Sequence, residues 1–306
     1  MPSAPASKES AAPPGVALIS GLAALAPVYD VVLCDVWGVV HNGRQHFAPA
    51  CAALSRFRAG GGTVILITNA PRPQPPILAQ LSTLGVPAAA FDALVTSGDV
   101  TLAFIAERRA APLYHIGPKR DLALFESLRA AGNTPPPLVD LSRADYVVCT
   151  GLFHDDRETP QDYDSTLDEM LRRDLVLISA NPDLVVHVGE RLIYCAGALA
   201  ERYAERGGRV LQAGKPYAPI YDRALAMAQS IRGRAVERAR VLAIGDAMRT
   251  DIKGACDQGL DALFVTSGIH RDELHRLAEP LDQAAFAQFL VGADCRPRAA
   301  IPALVW

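Results

Sequence analysis

The strongest constraint on this chain is a series of short β-branched apolar runs, continuous rather than alternating, nearly all of which end in Gly, Asp, Asn or Thr. They read "VVLCD" (31–35), "TVILITN" (63–69), "ALVTSGD" (93–99), "LYHIGP" (113–118), "YVVCTG" (146–151), "LVLISANP" (175–182), "RVLQAGKP" (209–216), "VLAIGDA" (241–247) and "ALFVTSG" (262–268). A strand with one wet face alternates apolar and polar residues, whereas a strand buried on both faces is continuous, so these runs belong in a parallel sheet. Between them lie helical segments: "PACAALSRFRAGGG" (49–62), "PPILAQLSTLGV" (75–86), "DYDSTLDEMLRRD" (162–174), "YAPIYDRALAMAQSI" (217–231) and "TDIKGACDQGLD" (250–261). Alternating β and α segments define an α/β fold, in which ligands bind beyond the carboxyl ends of the strands. Those ends are where the polar residues collect. "PRPQPP" (71–76) and "NTPPPL" (133–138) read as loops.

Bulk properties exclude several classes. A net charge of −3 gives no reason to expect a nucleic-acid partner or an acidic membrane surface. The basic run "IRGRAVERAR" (231–240) has no interleaved aromatics and reads as a solvated helix face. Six scattered cysteines without a CxxC pair argue for reduced thiols, against a zinc site or a disulfide framework. No apolar run reaches the length of a membrane span, and the start lacks a signal-peptide layout. Cytoplasmic residence is expected. Pro, Ala and Ser dominate the first fifteen residues, and residues 1–20 are expected to form a disordered tail. Neither GxGxxG nor GxxxxGK[ST] occurs, which removes the sequence basis for a dinucleotide oxidoreductase or a P-loop enzyme.

Four strand ends combine into one chemistry. Asp35 closes "VVLCD", Thr68 and Asn69 close "TVILITN", Lys215 follows "RVLQAG", and Asp246 and Asp251 flank the turn in "GDAMRTD". Singly, each has an ordinary explanation as a helix cap, a turn residue or an exposed lysine. Together they supply what phosphoryl transfer needs. A carboxylate can attack phosphorus, while hard oxygen ligands for Mg²⁺, a lysine and hydroxyl or amide donors offset the charge of the transition state.

The ordered set Asp35, Thr68, Lys215 and Asp246/Asp251 resembles the four motifs of the haloacid dehalogenase (HAD) superfamily of aspartate-nucleophile phosphatases. "IGDAMRTDIKGACDQGLDALFVTSG", "TNAPR", "ISANPD", "YCAGALAERY" and "GKPYAPIYDRAL" look like its class IIA, NagD-like branch. The resemblance covers about Val28 to Gly268. It implies a Rossmann-like core, formed by 21–98 and 194–306, with an α/β cap domain inserted at 99–193. The stretch between Thr68 and Lys215 is long enough for such an insertion, since it holds strands and helices of its own.

By resemblance, Asp35 is nucleophile and metal ligand, Trp37 lends its main-chain carbonyl to Mg²⁺, and Asp246 and Asp251 complete the metal set. Thr68, Asn69 and Lys215 hold the phosphoryl group. "SANPDLVVHVGERLIYCAG" resembles the segment that sets substrate specificity, with Asn181, Asp183 and His187 as leaving-group contacts. The expected ligand is a small phosphorylated molecule, and capped relatives that pair through the cap make a homodimer the analogy to test.

One position departs from the pattern. The family's phosphatases carry a second aspartate two residues after the nucleophile, as acid for the leaving group and base for water. Here that residue is Trp37. An indole N–H cannot shuttle protons, and general acid–base catalysis is typically worth ~10²–10⁴-fold. Alkyl phosphates should therefore be poor substrates. Three readings stay open: a substrate with a good leaving group, a substitute acid/base from His41 or His46, or a phospho-ligand binding protein on a degraded enzyme scaffold. Non-phosphatase HAD chemistry is a further alternative.

Overall fold

A computed structural model describes residues 16–108, 110–130, 132–188, 191–275 and 281–306. Its strands are β1 (Ala17–Leu18), β2 (Val31–Asp35), β3 (Thr63–Thr68), β4 (Ala93–Thr96), β5 (Leu113–Ile116), β6 (Tyr146–Cys149), β7 (Val176–Ser179), β8 (Val185–Val188), β9 (Arg191–Tyr194), β10 (Val210–Gln212), β11 (Val241–Gly245), β12 (Asp261–Val265) and β13 (Ala299–Ile301). Seven of them form one parallel sheet in the order β1-β13-β12-β11-β2-β3-β4. A second parallel sheet has the order β10-β7-β6-β5, and β8 and β9 form an antiparallel hairpin.

The large sheet is buried on both faces, as its continuous apolar runs require. Val32 and Cys34 of β2 join Val64 and Leu66 of β3 in one cluster, under the helices Ala48–Ala59 and Gln74–Thr83. Val31 and Leu33 join Ile65 and Ile67 in the opposite cluster, covered by helix Ala218–Arg232. From β2 the chain proceeds to β3 on one side, whereas β11 on its other side leads away to β12 and β13. The order therefore reverses between β11 and β2, which opens a crevice at their carboxyl ends.

All nine strands expected from the apolar runs form. The differences lie at the edges. Ala17 and Leu18 pair with Ala299 and Ala300, and Val16 is buried, so the sheet extends into the span expected to be tail; residues 1–15 lie outside the described residues. β1, β13 and the β8–β9 hairpin are too short or too exposed to stand out as apolar runs. Helix Gln74–Thr83 starts inside "PRPQPP", because prolines in a first helical turn forgo only hydrogen bonds that no residue there could make.

The second sheet reaches Gln212, beyond the boundary of 193 expected for the insertion, and helix Ala196–Glu205 packs in its core through Ala196, Leu199, Ala200 and Tyr203. Helix Ser97–Ala106 joins the two layers: Val100 belongs to a cluster of the large sheet, and Ile105 to a cluster of the second. The chain departs at Ser97 and returns at Ala213, where a Cβ added to Gly214 would lie 2.9 Å from Ser97 Oγ. The two crossings thus touch.

Candidate active site

Asp35, Asp246, Asp251 and Lys215 are all buried and converge at the carboxyl ends of β2 and β11. One carboxylate oxygen from each aspartate lies within 4.8 Å of the others. Lys215 Nζ donates to Asp251 Oδ1 at 2.7 Å and also to Asp35 Oδ1. Asp251 sits in a single π-turn, Met248–Ile252, before helix Lys253–Asp257. Such wide turns recur at functional sites, where they reorient a side chain.

Main-chain groups fix the two acids of the turn. Ile269 N–H donates to Asp246 Oδ2 at 2.7 Å, and Ala247 N–H to Asp251 Oδ2 at 3.1 Å. Glycines make room for them. A Cβ on Gly268 would lie 1.9 Å from Asp246 Oδ2, one on Gly38 2.1 Å from the same oxygen, and one on Gly245 2.1 Å from Asp251 Cγ. Gly38 also has φ +82°, a conformation that other residues rarely adopt.

Burial raises the Asp35 carboxyl well above the usual carboxylate range, Lys215 opposing and Asp251 and Asp246 adding. Burial and the neighbouring Asp251 push Asp246 up to about 7. At Lys215 burial pulls downward, but Asp251 and Asp35 outweigh it and the ammonium is held charged. Three carboxylates face one ammonium, so a fully ionised cluster has an excess of negative charge. A small divalent cation that prefers oxygen ligands fits this donor set.

Thr68, at the end of β3, faces the same cavity, and its Oγ1 accepts from Ala70 N–H at 3.3 Å. Asn69 is differently employed. Its Oδ1 accepts Lys215 N–H at 2.7 Å, while its Nδ2 donates to the Lys215 carbonyl at 3.1 Å and to Asp183 Oδ1 at 2.9 Å. The side-chain amide expected to hold a phosphoryl group is thus occupied in bracing the lysine.

Asn181 and Asp183 line the cavity from the second layer. Asn181 Oδ1 accepts Asp183 N–H at 3.0 Å, a local turn that turns the Asp183 carboxyl toward Asn69. Burial raises that carboxyl. His187 lies in β8, paired with Leu192, and its side chain is outside the described residues. The hairpin contributes Val185, Val186, Ile193 and Tyr194 to the wall.

Neither histidine expected as a substitute acid/base lines the cavity. His41 is buried, its Nδ1 accepts Gly43 N–H at 3.0 Å, and burial lowers its pKa to about 4. His46 Nδ1 contacts the Leu84 carbonyl at 2.7 Å, at the end of helix Gln74–Thr83. The loop folds back because Val40 and His41 N–H groups both donate to the Val36 carbonyl, which turns the histidines away. Trp37 stays on the cavity wall, edge-on to His41 at 5.3 Å between ring centres and covering Gly43.

The cavity between the two layers measures about 1230 Å³. Its second-layer wall includes Asp121 and Thr150, and Arg72 follows Thr68 on the large-sheet side. Sequence reasoning assigned no role to these residues or to the glycines Gly38 and Gly268, although Arg72 closes "TNAPR" and Gly268 closes "ALFVTSG", both within stretches that carry the resemblance.

Parallel strands reverse their order beside a buried cluster of one lysine and three aspartates, the place where open α/β sheets hold an enzyme's polar site. Residues 32–132 match the haloacid dehalogenase-like hydrolase family, and residues 212–289 match a HAD-hydrolase-like family. A hydrolase of the haloacid dehalogenase-like family from Brucella suis 1330 is 48% identical, with a TM-score of 0.81 over 94% of this chain and 100% of that one. This chain belongs to the haloacid dehalogenase-like hydrolases. NagD from Escherichia coli K-12 shares the fold at 22% identity, with a TM-score of 0.62 over 90% of this chain and 97% of that one. The 5'-nucleotidase YutF of Bacillus subtilis (strain 168) is 24% identical over 247 residues, 80% of this chain and 90% of that protein. Among the described residues, no helix is long and apolar enough to cross a membrane.

Proposed function

We propose that this chain hydrolyses a small phosphate monoester or acyl phosphate through an aspartyl-phosphate on Asp35, with Mg²⁺ held by Asp35, Asp246 and Asp251. The observation that carries this reading is the contact of Lys215 with both Asp35 and Asp251 inside a buried carboxylate cluster. The relatives support the same class: one is named a 5'-nucleotidase, another a possible sugar phosphatase. The second layer, residues 113–212, is the cap over the site.

Mg²⁺ supplies charge neutralisation at the phosphoryl oxygens when bound. The protein does the rest. An Asp35 oxygen forms a bond to phosphorus as the ester P–O bond breaks, and water then cleaves the aspartyl-phosphate to inorganic phosphate. Lys215 draws electron density from Asp35 and offsets repulsion between carboxylate and phosphoryl group. Thr68 Oγ1 donates its proton to a phosphoryl oxygen. No acid stands at position 37, and His41 and His46 are turned away, so the favoured leaving groups are those that depart as stable anions.

The test is phosphate release from p-nitrophenyl phosphate and acetyl phosphate, with and without Mg²⁺. Turnover should require the metal and vanish in Asp35→Asn. Metal-independent release, or release unchanged in Asp35→Asn, refutes the mechanism. Binding of phosphate without any turnover favours the alternative that Trp37 raises, a phospho-ligand binding protein on the enzyme scaffold.

A further inference from the structure

Arg72 follows β3 by four residues, lines the cavity and is half-buried. Burial lowers its pKa, and the charges that act on it are Asp121 and Arg120, both from the cap wall opposite. Arg72, Arg120 and Asp121 line the same cavity. One Arg72 Nη2 hydrogen goes to Gln80 Oε1 at 2.8 Å. Among the described residues it forms no ion pair. Other cations on the wall differ: Lys215 is paired with Asp35 and Asp251, Arg120 with Asp155, and Arg271 is exposed. Asp121, the acid whose charge acts on Arg72, is engaged by Thr150, whose hydroxyl also meets His115 Nε2 at 2.9 Å.

A guanidinium drawn half out of bulk water with no carboxylate in ion-pair contact is costly, since Asp121 acts on it only from a distance, and most of its five donors are still available. Its planar fork suits two oxygens of a carboxylate or phosphate. We propose that Arg72 receives a second anionic group, carboxylate or phosphate, of a substrate whose reacting phosphoryl group lies at Asp35. This rests on the phosphatase reading above. It narrows the substrate class to phosphate esters that carry another negative charge.

The test compares 4-carboxyphenyl phosphate with 4-carbamoylphenyl phosphate, which match in shape and differ by one charge, and includes 1,4-phenylene bisphosphate as the second-phosphate arm. The wild type should favour one of the two doubly anionic compounds over the amide by about ten-fold or more in kcat/KM, as a charge-assisted pair implies. Whichever is favoured identifies the group. Arg72→Gln should erase the ratio through a raised KM, and Arg72→Lys should restore part of it. A structural role would slow charged and neutral substrates alike, leaving the ratio intact; that result overturns the proposal, as does a wild type indifferent to the second charge. Calorimetric binding of the same compounds to Asp35→Asn separates the two readings. If the wild type hydrolyses none of them, the phosphatase reading fails. A binding preference in Asp35→Asn that is lost in Asp35→Asn/Arg72→Gln still upholds the anion site, and no preference removes it.

Discussion

Asn69 clamps the main chain of Lys215 from both sides, accepting its N–H at 2.7 Å and donating to its carbonyl at 3.1 Å, between positions 146 residues apart. The lysine that meets Asp35 and Asp251 is therefore positioned by the residue that directly follows β3. Replacing Asn69 by Ala leaves a buried N–H and carbonyl without partners, at a cost of about 1–3 kcal/mol per group. Asn69→Ala should lose at least that much stability in urea unfolding. Its kcat on p-nitrophenyl phosphate should fall by about ten-fold or more, with a smaller change in KM. A change confined to KM would mean that Asn69 serves the phosphoryl group directly.

Trp37→Asp restores a carboxyl where the family's phosphatases have one. The ratio of turnover on an alkyl phosphate to that on p-nitrophenyl phosphate should rise by about ten-fold or more, because only the alkyl leaving group needs a proton. The edge-on packing on His41 and the cover over Gly43 are lost at the same time. Thermal unfolding should therefore show a destabilisation of about 1–3 kcal/mol for this half-buried ring. An unchanged ratio would mean that the pocket has been rebuilt around the indole.

Gly268→Ala places a methyl group where Asp246 Oδ2 now lies. The carboxylate has to swing away, taking with it the bond from Ile269 N–H. The rise in melting temperature that Mg²⁺ gives the wild type should need about ten-fold or more metal in this variant, since a ligand stabilises in proportion to the logarithm of its concentration over Kd. Equal metal titrations would remove Asp246 from the ligand set.

His115 carries a pH signature of its own. Burial lowers its pKa to about 4, whereas in the unfolded chain it titrates near 6.5. The unfolded state thus binds the extra proton first, and stability contributed by neutral His115 is lost as pH falls from about 6.5 to about 4. Urea unfolding at about pH 7.5 and pH 4.5 should show a larger loss for the wild type than for His115→Gln. Equal losses would place the histidine in ordinary solvent.

The sheet was legible because its strands are buried on both faces: Val31 to Cys34 and Val64 to Ile67 have no wet side, so no polar residue interrupts them. The convergence of Asp35, Lys215, Asp246 and Asp251 was legible because strand order places carboxyl ends together. What escaped was what side chains do once there. Asn69 looks like a free donor until its two amide ends are seen to be taken. His41 and His46 are close to Asp35 in sequence, yet a backbone turn at Val36 carries both away. Arg72 closes "TNAPR" without revealing a role there, since its meaning depends on which side chains surround it in space. The edges β1 and β13, with two and three residues, are too short to carry a periodic signal.

The contact between Ser97 and Gly214, where the chain leaves the large sheet and comes back, has a consequence for how such a protein can change over generations. A segment whose ends meet can be replaced as one cassette, because the residues that flank it need not move to accept another of different length. The lysine and the aspartates stay on one side of that junction, and the wall that meets the rest of the ligand lies on the other. New substrates can thus be acquired by recombination at two adjoining points, without disturbing the chemistry. Side chains of the segment that bond across the junction limit the exchange: Asp183 meets Asn69, Glu201 pairs with Arg249 and Asp99 accepts Gln74 N–H, so an exchanged cassette has to supply partners for these groups.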